Sequence, residues 1–141
     1  MHLKEQIADI CRRYQVADLY VFGSRAKEVA AWVDQGAALQ STSNADIDVG
    51  ILPLELKDWL PEKRVDLTIA LEEIFSVKRV DLVLLPEADP YLALDIIRGE
   101  LIYSDDLDRQ ARYELFVLRR AGDLLPFKKE RMRMILEEGA V

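Results

Sequence analysis

The chain has 141 residues and a formal net charge of −7. That length suits one domain, 1–141, with a sizeable core, and the acid excess argues against direct nucleic-acid binding, which needs a basic surface. No apolar run reaches the length of a membrane span, and the opening MHLKEQIADICRRY lacks the apolar centre of a signal peptide, so a cytoplasmic protein with no membrane partner is expected.

Leu3 to Tyr14 carries apolar residues at Leu3, Ile7, Ile10 and Cys11, which is helical spacing. Cys11 is the only cysteine, so no internal disulfide can form, and its apolar position predicts a buried structural thiol. His2 is the only histidine; it lies at a terminus, which argues against a His-based metal site or triad. ADLYVFGS predicts a buried strand, Leu19 to Phe22, stopped by Gly23. SRAKEVAAWVDQG is rich in helix formers and closes on a glycine. AALQSTSNA is small and polar, a loop. DIDVGIL predicts a second strand ending near Pro53, and PLELKDWLPEK is irregular.

Arg64 to Phe75 predicts a helix with apolar residues at Val65, Leu67, Ile69, Leu71 and Ile74. KRVDLVLLP is a third strand, Pro90 to Arg98 a helix with Gly99 behind it, and ELIYSD a short strand. A long helix follows from Leu107 to Leu118 and on toward Leu125. DDLD at Asp105 to Asp108 reads as its start, favoured by the helix dipole. Pro126 interrupts it, and a terminal helix is expected over about Phe127 to Glu138. The fold class is α/β (α+β), a small sheet flanked by helices with C-terminal helices from about residue 105.

On a strand, residues two apart share a face. Asp46 and Asp48 therefore project together, while Ile47 and Val49 go the other way. Adjacent carboxylates repel unless a cation lies between them. Asp81, near the start of the third strand, joins them if the second and third strands are neighbours. Oxygen-only ligands of this kind suit magnesium, and two ions about 3.5–4 Å apart can serve phosphoryl or nucleotidyl transfer. Gly23 and Ser24 then acquire a purpose. A strand ending in Gly-Ser and entering a helix presents backbone N–H groups and the helix's positive end to a phosphate. Alone, a Gly-Ser is a turn and an Asp-x-Asp a loop edge or cap; the order of the parts carries the reading.

That order, Gly23-Ser24, Asp46-Ile47-Asp48 and Asp81 within RVDLVLL, resembles the DNA polymerase β-like nucleotidyltransferase superfamily. The small size, GELIYSDD and ARYELFVLRR are similar to its minimal nucleotidyltransferases of the MntA type, over nearly the whole chain. The resemblance implies a polymerase β-like fold with a mixed sheet. It implies an antitoxin that transfers AMP from ATP, with Mg2+ (two ions), onto a tyrosine of a HEPN-domain ribonuclease toxin of the HepT type. Asp46, Asp48 and Asp81 would be catalytic and hold the metal; Gly23, Ser24 and Arg25 would bind the nucleotide. Three departures stand out. The spacer Arg25–Ala45 is longer than the family's usual one, Glu28 stands where a glycine is common, and Ala45 replaces a serine. An antitoxin acting by binding alone and a small-molecule, aminoglycoside-type nucleotidyltransferase are the competing functions. The latter lacks here the large helical domain that recognises its acceptor.

Basic residues crowd the C-terminal quarter: Arg119, Arg120, Lys128, Lys129, Arg131 and Arg133. They are either a solvated helix face or the rim of a docking surface. Apolar neighbours such as Val117, Leu118, Leu124, Leu125 and Phe127 divide between core and patch.

Overall fold

The structure is a computed structural model that describes residues 2–35 and 46–122. Helix α1 (Leu3–Arg13) leads into strand β1 (Val16–Phe22), helix α2 (Ala26–Gln35) and strand β2 (Ile47–Pro53). A 3-10 turn at Leu56–Asp58 precedes helix α3 (Pro61–Phe75) and strand β3 (Val80–Leu84). Helix α4 (Pro90–Ile97) and strand β4 (Glu100–Ser104) follow, then helix α5 over 107–122. The AALQSTSNA loop and the terminal helix expected beyond Pro126 lie outside the described residues.

The sheet is mixed, in the order β3-β2-β1-β4. β1 runs antiparallel to β2 and β4, while β2 and β3 are parallel. The parallel pair needs a crossover, and α3 supplies it. Alternation along the strands divides the core between two faces. Leu19, Val21, Ile47, Val49 and Ile51 pack with α1, α2 and α3. Tyr20 and Leu52 pack with α4 and with Val117 of α5. Each large side chain fully buried this way contributes about 1.5–3 kcal/mol relative to exposure.

The helices start and stop where local chemistry dictates. α1 buries Leu3, Ile7, Ile10 and Cys11 as one stripe, and burial pushes the Cys11 thiol far above its ordinary pKa. α3 begins at Pro61, three residues before the expected Arg64, because proline suits the first helical turn. Its buried residues are Leu67, Leu71 and Phe75. Val65 and Ile69, counted above among the apolar pattern, are exposed, since the 3.6-residue period carries them round to the opposite face. Asp106 caps α5 by accepting the N–H groups of Asp108 and Arg109, which holds its carboxyl below the usual range.

β1 also begins earlier than expected, at Val16 rather than Leu19. The charge that interrupts the apolar run, Asp18, is 1% exposed. It is neutralised by Arg109 of α5, whose Nη2 lies 2.7 Å from its Oδ1; Arg109 also pairs with Asp105. The same helix reaches the middle of β1. Tyr20 donates its hydroxyl hydrogen to Glu114 Oε1 at 2.9 Å and accepts from Gln110 Nε2 at 2.8 Å. At one edge of the sheet, the N–H of Val80 donates to Glu72 Oε2 of α3.

Candidate active site

Strand direction brings the chemistry to one end of the sheet. The C-terminal end of β1 meets the N-terminal ends of β2, β3 and β4: Phe22 pairs with Asp48, Asp48 with Asp81, and Val21 with Glu100. Asp48 therefore stands between the turn that follows β1 and the acid of β3. Asp46 lies one residue before β2. The expected neighbourhood of the second and third strands is observed, and in register.

Gly23 makes the turn with φ +80°, a conformation that L side chains adopt only at a cost. A Cβ there would overlap Oδ2 of Asp48. The glycine thus serves two ends: it turns the chain and leaves room against the carboxylate. Gly50, two residues along β2, is similarly covered by Ile96 of α4, which brings α4 close above the strand. After the turn, Ala26 N–H bonds to the Gly23 carbonyl at 3.3 Å and α2 begins.

Beside the turn lies a cleft of about 330 Å3 lined by Gly23, Ser24, Ala26, Lys27, Asp95, Arg98, Gly99 and Glu100. Lys27 and Arg98 give it cationic groups that the sequence reading did not assign. Arg25 is not among its lining residues. It is buried, and its Nε and Nη2 each donate to Glu28 at 3.2 Å. Glu28 is thereby the partner of the Ser-Arg turn.

Electrostatics at the acids are unbalanced. Burial first, then the charges of Asp81 and Asp46, raise the Asp48 pKa above the ordinary carboxylate value. A nearby positive charge would relieve that repulsion. Arg79, just before β3, supplies one to part of the cluster: its Nε lies 3.0 Å from Asp81 Oδ1 and 3.6 Å from Asp46 Oδ2. Among the described residues, no three Asp, Glu, His or Cys side chains are already gathered to hold a metal ion. The donor set still fits a hard divalent cation, because it is all carboxylate oxygen. The space that Gly23 leaves beside Asp48 Oδ2 and the repulsion around it point the same way. Arg79 was readable in principle: it is two residues from Asp81 on extended chain, so the two side chains share a face.

Among the described residues, no helix is long and apolar enough to cross a membrane. The sequence profile of the family described as "Polymerase beta, Nucleotidyltransferase" matches residues 5–108. A search of curated proteins returns no match. Solved structures do match. One is a toxin-antitoxin with AMP-PNP, at TM-score 0.64 and 20% identity, covering 98% of each chain. Another is the toxin-antitoxin MntA-HepT, at TM-score 0.61 and 19% identity, covering 99% of this chain and 97% of that one. A third is a tri-AMPylated Shewanella oneidensis HEPN toxin in complex with MNT antitoxin, with the same score, identity and coverage. At these identities the likeness establishes the fold.

Proposed function

The chain belongs to the polymerase beta nucleotidyltransferase family, and from that premise we propose that it is an antitoxin that transfers AMP from ATP to a tyrosine of a cognate HEPN-domain, HepT-type toxin in the cytoplasm. The observation that carries the reading is the convergence of Asp48 and Asp81, in register on β2 and β3, with the Gly23 turn directly against Asp48. Structural neighbours that are toxin-antitoxin complexes, one with AMP-PNP and one with an AMPylated HEPN toxin, support the choice of nucleotide and acceptor.

In this proposal Gly23 and Ser24 receive the outer phosphates at the start of α2, where the helix's positive end favours an anion. Arg25, held to Glu28, braces the turn from behind and completes the nucleotide-binding segment. Lys27 and Arg98 add positive charge along the cleft. Asp46, Asp48 and Asp81 would hold Mg2+, which supplies charge neutralisation for the phosphates and the developing leaving group. The acceptor oxygen forms a bond to the α-phosphorus as the bond to the β-phosphate oxygen breaks. Pyrophosphate leaves, and the phenolic proton passes toward Asp81, the acid nearest the open edge of the sheet.

The partner would bind α5. Val117 and Ala121 face the core, whereas Leu115, Phe116 and Leu118 are exposed with Arg119 and Arg120 beside them. The Arg120 guanidinium lies 5.5 Å from the Phe116 ring. An apolar patch with a positive rim is the kind of surface that marks protein contacts.

Labelled ATP, magnesium and the purified HEPN protein test the reading. Wild type is expected to label the toxin, and Asp48→Asn to abolish labelling while folding normally, because the change removes a charge with little change of shape. If wild type neutralises the toxin and transfers no label, the protein works by binding alone.

A further inference from the structure

We propose that Arg79 is a built-in counter-ion of the carboxylate cluster, one that competes with a divalent cation for Asp46 and Asp81 and withdraws when the cation binds. The inference rests on the reading of a cation site at these aspartates and adds a residue that controls its occupancy.

The geometry supports each part. One Arg79 nitrogen reaches both carboxylates, donating to Asp81 Oδ1 at 3.0 Å and lying 3.6 Å from Asp46 Oδ2. It therefore stands between two of the three acids that a cation would need. The main chain of Arg79 is fixed, since its carbonyl accepts the N–H of Ile47. Its side chain is not: it is 67% exposed, and both partner carboxylates are 40% exposed. Withdrawal therefore moves only a solvated side chain and breaks ion pairs of a weak, exposed class. Asp48, by contrast, forms no ion pair with Arg79, whose partners are Asp46 and Asp81, and it sits against Gly23. The arginine thus neutralises the outer two acids and leaves the inner one as the cation's first attachment.

A dication carries twice the charge of the guanidinium and favours hard oxygen ligands, so it wins at sufficient concentration. The effect of the arginine is to raise the concentration required. Because exposed ion pairs shift an equilibrium only modestly, removing Arg79 should tighten cation binding about three- to tenfold.

The test is titration with Mn2+ alone, followed by its paramagnetic resonance signal, on the full chain without nucleotide. Arg79→Gln is expected to bind Mn2+ about three- to tenfold more tightly than wild type. Arg79→Lys, which retains the charge, should stay near wild type. The difference between wild type and Arg79→Gln should shrink as salt is raised, because these charges face water. Without metal, Arg79→Gln should melt below wild type, and saturating Mn2+ should close that gap. Equal or weaker Mn2+ binding by Arg79→Gln overturns the counter-ion role and leaves the transferase reading standing. If neither protein binds Mn2+, both this inference and the cation site fall, and label transfer to the toxin, measured separately, still decides the transferase.

Discussion

Gly23→Ala is the sharpest probe of the site, because one methyl group meets two separate obstacles. Gly23 has φ +80°, and placing an L side chain in that region costs about 1–2 kcal/mol. The added Cβ also overlaps Asp48 Oδ2, so the carboxylate must rotate away from the turn. Strain and displacement together should lower stability by about 2–3 kcal/mol. Urea denaturation measures that loss, and calorimetric titration with ATP and magnesium measures the site. Gly23→Asn separates the two obstacles, since asparagine tolerates the left-handed backbone better yet carries the same Cβ. It should recover part of the stability and none of the ATP affinity. Gly122→Ala, at the last described residue of α5, is the control: nothing lies within 4 Å of the added carbon, so stability should stay within about 0.5 kcal/mol of wild type or rise. Gly23→Ala within about 0.5 kcal/mol of wild type, the range of neutral surface changes, with ATP affinity unchanged would refute the reasoning.

Other outcomes follow from the polar contacts of α5. Arg109→Ala strands the buried Asp18, and should cost about 2–4 kcal/mol in urea unfolding, less than a fully buried pair because Arg109 is 28% exposed. Burial already raises the Asp18 pKa, so the stability this group contributes is present below its unfolded pKa and lost as pH rises through its folded value. Losing the arginine raises the folded value further, and the penalty of Arg109→Ala should be smaller at about pH 5 than at about pH 8. On the outer side of the same helix, Phe116→Glu combined with Leu118→Glu should weaken toxin binding at least about tenfold, more than 1.4 kcal/mol, with ATP affinity unchanged; unchanged toxin affinity by surface-based binding measurement would place the docking surface elsewhere.

The order of elements was legible because apolar runs end at Gly23, Pro53, Gly99 and similar breakers, and because α1 keeps a clean helical stripe. The start of β1 was not, since Asp18 reads as a break until Arg109, far along the chain, is brought against it. Val65 and Ile69 read as core because a count of apolar residues does not record which side of a helix they occupy. At the site, the shared projection of Asp46 and Asp48 follows from strand geometry alone. The register that sets Asp48 beside Asp81 does not, because a sequence does not say which strands are neighbours. Lys27 and Arg98 were missed for the same reason: only the pairing of β1 with β4 brings the end of α4 to the turn before α2. Arg25 was assigned to the nucleotide from the family resemblance, and its pairing with Glu28 needed the structure to be seen.

The strand order β3-β2-β1-β4 has a consequence for synthesis. Among the described strands, β1 leaves the ribosome first, yet it is central, and its second edge waits for β4, the last of the four. Until residue 104 has emerged, Val16–Phe22 offers an unpaired, almost wholly apolar border to any other nascent chain. Such borders are where misassembly begins, and topologies rich in distant pairings close them slowly. Slowing translation just before the β4 codons should therefore lower soluble yield more than the same pause placed after α5 has been made.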